Sequence, residues 1–263
     1  MTGTALAPLL RRDRWIVAGA LGALTVFSWL YIYRLAAAMG MGGMDPRAMA
    51  PAFKPWSLAD AAFMAAMWVA MMVGMMVPSV APMILLYARV GRQAAKQGQP
   101  FAASLWFACG YLVAWTGFAL VATVAQWALE RAALLTPMMA SADDLLGGAV
   151  LIVAGAYQWT ALKDSCLAQC RAPLAFLHRH GGFRADVPGA LSLGFRHGLY
   201  CVGCCWVAMA LLFVFGVMNL LWIAGLAALA LVEKLLPGDR LVARLAGIGF
   251  LAAGAWLILG TVR

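Results

Sequence analysis

Cys201, Cys204, Cys205 and Met209 stand at positions i, i+3, i+4 and i+8 of an apolar stretch, a spacing that lays three thiols and one thioether along a single helix face. Sulfur is a soft donor, so such a stripe suits Cu(I), zinc or an iron–sulfur centre and not magnesium or calcium. A second sulfur-rich run places seven methionines within the 20 residues from Met64 to Met83. At helical spacing Met64, Met67, Met71 and Met75 share one stripe, and Met72, Met76 and Met83 continue on its neighbour. Methionine also fills irregular cores, so this stripe alone reads as packing before it reads as metal binding.

The elements that must position these residues are membrane helices. The chain has 263 residues, of which 65% are apolar and 11% charged, with a mean hydropathy of +0.88, a balance that belongs to integral membrane proteins. Crossing the hydrocarbon takes about 20 mainly apolar residues. Seven segments meet that requirement, near 15–34, 58–80, 101–129, 142–162, 193–217, 219–236 and 241–262. The expected fold is therefore all-α, a single polytopic bundle over residues 1–263 with no internal repeat. The loops at 34–57 and 163–192 are too short to fold alone. The first segment follows Arg11, Arg12 and Arg14 and precedes Ala36-Ala37-Ala38, which is also the outline of a secretory signal. Its apolar core exceeds the roughly 7–15 residues of a signal, and it reads as an uncleaved anchor.

The net charge of +9 does not point to nucleic acid, because the basic residues are dispersed among short loops. With the N-terminus cytoplasmic, 14 of the 19 Lys and Arg fall on the inner side, and only Arg34, Arg47, Lys54, Arg131 and Arg263 on the outer. That is the positive-inside pattern; it places the N-terminus inside and the C-terminus outside, with seven spans. Ser57-Leu-Ala-Asp60 and Ser141-Ala-Asp-Asp144 each read as a serine N-cap with a carboxylate three residues on, so Asp60, Asp143 and Asp144 are expected to cap helices.

Depth relates the two sulfur runs. A helix entering from outside at Ser57 reaches Met71–Met76 after about 20–28 Å, while one entering from inside near Arg196 reaches Cys201–Cys205 after about 7–14 Å. Both lie in the inner half of a core about 30 Å thick, where they could meet. Pro78 and Pro82 are expected to break the second helix there. Glu233 shares that depth and reads either as a hard ligand or proton acceptor, or as an interfacial charge snorkelling to water. In the inner loop Cys166 and Cys170, with His178 and His180, loosely resemble a zinc site, and His197 could join either group. On the outer side Met39, Met41, Met44 and Met49 lie in a glycine-rich loop, where thioethers would serve Cu(I) in an oxidising compartment that consumes free thiols.

Met67-Trp68 through Ala70-Met71-Met72, Met76-Val-Pro78-Ser79 with Pro82, Cys166-x3-Cys170, Gly198-Leu-Tyr-Cys201-x2-Cys204-Cys205-Trp206-x2-Met209, Gly216-x-Met218 and Glu233-Lys234-x2-Pro237 together resemble an uncharacterised bacterial family. That family is described as predicted metal-binding integral membrane proteins and carries a domain-of-unknown-function label. The resemblance covers about 58–240 and implies a multi-span helical fold with a metal association; copper follows from sulfur softness, with zinc as the second metal. The expected function is a membrane protein that transports, stores or delivers Cu(I), its partners being the bilayer, the ion and possible contacts with a metallochaperone or a larger complex. A thiol–disulfide relay and an assembly subunit of a larger metalloenzyme are the alternatives. The relay is disfavoured by the outer side, which offers methionines and no cysteine. The sequence contains no P-loop and no Gly-x-Gly-x-x-Gly, so nothing in it points to nucleotide-driven catalysis.

Overall fold

A computed structural model describes residues 6–38, 55–98, 102–136, 139–236 and 240–261. The outer loop bearing Met39, Met41, Met44 and Met49 lies outside them, as does Pro237. Among the described residues there are ten helices: α1 (Leu6–Ala38), α2 (Leu58–Lys96), α3 (Ser104–Arg131), α4 (Asp144–Tyr157), α5 (Ala161–Arg171), α6 (Pro173–Arg179), α7 (Val187–Ala210), α8 (Leu212–Phe215), α9 (Leu220–Leu235) and α10 (Leu241–Thr261).

Five are long and apolar enough to cross a membrane: α1, α2, α3, α7 running on into α8, and α10. The pair α4–α5, bent by 64°, makes a sixth if it counts as one span. The expected segment at 142–162 divides because Thr160 starts a new helix, its side chain accepting from the Lys163 backbone N–H at 3.2 Å. Helix α9 has 16 residues, about 24 Å at the helical rise and short of a core of about 30 Å.

Two expectations about helix α2 have opposite outcomes. The capping box at its start is present: Asp60 accepts from the Ser57 backbone N–H at 2.9 Å, and the Ser57 hydroxyl accepts from the Asp60 N–H at 3.2 Å. The break at the prolines is absent. Helix α2 runs through Pro78 and Pro82 for 39 residues. A proline at 78 leaves the carbonyl of Gly74 without its helical donor, and the Trp29 indole of α1 supplies one at 3.2 Å. A neighbouring helix that satisfies the freed carbonyl removes the reason for the helix to open. The second expected cap also shifts: Asp143, not Ser141, caps α4 by accepting from the Leu145 N–H at 2.8 Å, while Ser141 donates to the Asp143 carbonyl. The segment 163–192, read as a loop, forms α5 and α6 before α7 begins.

Small residues set how closely the helices approach, as they do where lipid supplies no hydrophobic drive between helices. Helix α7 lies against α3 across Gly194, where a Cβ would stand 2.0 Å from the Phe107 carbonyl oxygen, and Gly110, where one would stand 2.1 Å from that of Leu191. Helices α4 and α10 approach through Gly148 and Gly155 on one side and Gly247 and Gly254 on the other. Helices α1 and α10 keep most of their apolar side chains exposed, whereas α2, α3 and α7 bury about half of theirs and enclose the core.

Replacing Gly194 or Gly110 by alanine should force α3 and α7 apart and cost about 1–3 kcal/mol, as overpacking does. Gly117→Ala, on the same α3 but with open space around it, should be neutral or stabilising by up to ~1 kcal/mol. Thermal unfolding in detergent distinguishes the two classes; equal midpoints for all three variants would contradict the packing described.

Candidate metal centre

The thiols of α7 are buried from solvent, with Cys201, Cys204 and Cys205 each 2% exposed or less. Helical geometry directs Cys204 and Cys205 back over the preceding turn: both thiols donate to the Cys201 carbonyl, at 3.1 and 3.0 Å. The partner helix is α2. Met76 brings its Sδ to 3.9 Å from the Cys205 Sγ, so the two sulfur runs share a contact. Met71, Met72, Met75 and Met209 are fully buried in the same core cluster, and Met76 is the thioether that reaches the thiols.

Tyr111 of α3 closes one side. Its hydroxyl lies 3.0 Å from the Cys201 Sγ and 3.3 Å from the Met76 carbonyl oxygen. The other side is closed by Lys234 of α9, whose ammonium donates to the Cys201 Sγ at 3.0 Å and the Ser79 hydroxyl at 3.1 Å, with the Met76 Sδ at 3.6 Å. A buried cation is thus already seated among two sulfurs and a hydroxyl.

Glu233, next in sequence, takes another direction. Consecutive helical residues project about 100° apart, and the Glu233 carboxylate turns to α5, where the Lys163 ammonium approaches both its oxygens at 2.9 and 2.8 Å. Lys163 also donates to the Gln158 side chain, and the Arg171 Nε donates to the Glu233 backbone carbonyl at 2.6 Å. Glu233 and Lys163 are 2% and 1% exposed. The carboxylate therefore neither snorkels to water nor faces the sulfur cluster; its lone pairs are taken by Lys163.

Helix α5 brings the remaining cysteines in. A Cβ on Gly203 would stand 2.8 Å from the Cys166 Sγ, so the thiol of α5 rests against bare α7 backbone. The Cys170 thiol neighbours those of Cys201 and Cys204. The inner-loop pair and the α7 stripe, separate in the sequence, form one neighbourhood, and all six cysteines are free thiols. His178 is exposed and His180 contacts Phe176 and Tyr200; neither joins the thiols. His197 sits in an aromatic cage, its ring 4.8 Å from that of Phe176 and 5.8 Å from that of Phe107. Its Nδ1 has no hydrogen-bond partner among the described residues.

Among the described residues no group of three or more His, Cys, Asp or Glu side chains is disposed to hold a metal ion; a centre here has to draw on the Met76 thioether as well. Sequence reasoning missed Lys234, Tyr111 and Lys163. The signal for Lys234 was present, since a lysine directly behind a glutamate in an apolar run needs its own buried partner; nothing in the spacing marked Tyr111.

The sequence profile of PpoB2, a family described as copper chaperone, matches residues 65–257, and the chain belongs to that family. No curated protein and no solved structure matches it.

Removing the Glu233 carboxylate should leave the Lys163 ammonium buried and unpaired, so Glu233→Leu is expected to destabilise by about 3–5 kcal/mol. The double variant Lys163→Met, Glu233→Leu should recover most of that loss, because it removes both charges. A double variant no more stable than the single one would show that the pair is not the interaction described.

Proposed function

We propose that this member of a copper chaperone family binds Cu(I) between α2, α7 and α9, with Cys201, Cys205 and Met76 as ligands, and carries it as cargo within the membrane. The observation that supports this reading is the seating of one cation, the Lys234 ammonium, against the buried Cys201 and Met76 sulfurs, with Lys234 itself 7% exposed. Charge explains why a lysine would stand there. Cu(I) on two thiolates carries one net negative charge, which a low-dielectric interior tolerates only if it is compensated. Lys234 supplies the compensating charge, and Glu233, neutralised by Lys163, leaves the balance undisturbed. Thiolate and thioether donors together favour Cu(I) over harder ions.

Cys204, Cys170 and Cys166 border the site as the thiols through which the ion would pass by ligand exchange, with Met72, Met71, Met75 and Met209 as the sulfur-lined wall. His197, caged by aromatic rings, would stand beside this path. The outer loop with Met39, Met41 and Met44 would be the receiving side. In this reading the protein is one domain in the bacterial inner membrane with its N-terminus cytoplasmic and its C-terminus outside. It makes seven passes, with α4–α5 as the bent one and α9 as the short one. Delivery to a metallochaperone or to a larger complex is the function that a family described as copper chaperone brings to mind.

Protein purified anaerobically under reducing conditions should carry about one equivalent of copper by elemental mass spectrometry, and no stoichiometric zinc. Cys201→Ser with Cys205→Ser should lose at least ~90% of it. Lys234→Met should retain the fold and weaken Cu(I) binding by about tenfold or more, one lost charge compensation being worth at least about 1.4 kcal/mol. Copper content unchanged in the double cysteine variant would sink this assignment.

A further inference from the structure

At the Ser57 end of the bundle, far along α2 from the cysteines, a second sulfur group surrounds a buried amide. Gln126 of α3 has no exposure to solvent. Its orientation follows from partners with fixed roles: the Trp68 indole can only donate and does so to Oε1 at 2.7 Å, while the Glu130 carboxylate accepts from Nε2 at 2.8 Å. The same Nε2 lies 3.2 Å from the Met139 Sδ and 3.6 Å from the Met64 Sδ. Beyond the proton given to Glu130, this amide therefore has only thioethers to donate to, and thioether sulfur is a weak acceptor. Two thioethers and one carboxylate converge on a single point; the thioethers suit a soft monovalent cation better than an N–H group, and the carboxylate would balance its charge.

Met139 is held there at a cost. Its φ is +57°, in the left-handed region that side chains other than glycine seldom adopt. Its backbone is fixed on both sides, the N–H donating to the Thr136 carbonyl at 2.8 Å and the carbonyl accepting from Val217 at 3.3 Å. The turn thus aims a thioether inward instead of leaving the position to glycine. Glu130 is pinned in turn by the Trp56 indole at 2.8 Å. From this group the fully buried Met67, Met71 and Met75 continue the Met64 stripe along α2 toward Met76.

We propose that Met64, Met139 and Glu130 form a second Cu(I) site at the Ser57 end of the bundle, in which the ion replaces the Gln126 N–H as the partner of the two thioethers. The proposal rests on the reading of Cu(I) as the cargo. The site would be the first station of a thioether path whose last member is Met76. Thioethers and one carboxylate give the bound ion a neutral complex, with no thiol to be oxidised.

Ag(I), a soft monovalent ion without redox chemistry, is the probe. Calorimetric titration of the full chain in detergent should resolve a binding component that is lost in Met64→Leu, Met139→Leu. That component should survive both in Cys201→Ser, Cys205→Ser and in a variant with Met39, Met41, Met44 and Met49 changed to leucine. Methionine-to-leucine changes conserve volume; should the double variant nevertheless unfold, Glu130→Gln is expected to weaken the same component about tenfold. Isotherms of Met64→Leu, Met139→Leu and of Glu130→Gln that match wild type would overturn the proposal. Loss of a component only in the cysteine variant would leave the inner site standing without this one, and an unchanged cysteine variant would count against the inner site alone.

Discussion

A charge inside an apolar bundle must find its partner within the chain, and this constraint organises the end of the molecule where the cysteines lie. Glu233 and Lys234 are adjacent on α9 and both buried. One helical step turns them to different neighbours. Glu233 is neutralised by Lys163 of α5, and Lys234 is left with two sulfurs and a serine hydroxyl. A positive charge paired with soft donors and no carboxylate is the imbalance that a Cu(I)–dithiolate complex would correct. The ion pair and the sulfur pocket are therefore parts of one arrangement: Lys163 neutralises the carboxylate of α9, and Lys234 keeps its charge for the sulfurs.

The rest of the fold brings these groups within reach. Tyr111 meets Cys201 because α3 and α7 pack across Gly110, Gly194 and Gly198 with almost no space between backbones. Cys166 and Cys170 arrive because α4 ends at Tyr157 and α5 bends away from it by 64°, laying the Cys166 thiol on bare backbone at Gly203. Met76 keeps its place in a continuous helix because Trp29 of α1 takes the carbonyl that Pro78 leaves open. Each contact is modest, yet the removal of any one exposes a buried polar group, which in an apolar interior costs far more than the contact itself contributes.

Much of this could be read from residue order. The sulfur stripe on α7, the methionine stripe on α2 and the capping box at Ser57 follow from helical periodicity, a local property. Depth allowed Met76 to meet Cys205 without requiring it, and the structure brings the two sulfurs to 3.9 Å. What escaped was set by tertiary neighbours. Periodicity cannot tell that a proline will be tolerated because an indole waits beside it. Nor can it say which of two adjacent charges faces the thiols, or that the cysteines of 163–192 fold back onto α7. The buried Gln126 between two thioethers was equally hidden, because Met139 reaches it through a left-handed turn that no sequence pattern announced.

In the proposed centre, sulfur from α2 and α7 holds Cu(I), with Lys234 as its counter-charge. Copper K-edge X-ray absorption on the Cu(I)-loaded protein tests it most directly. The expected first shell is two to three sulfurs with no nitrogen or oxygen, turning to a mixed sulfur and oxygen shell in Cys201→Ser. A wild-type shell dominated by nitrogen or oxygen, as His197 or Glu233 would supply, would contradict it.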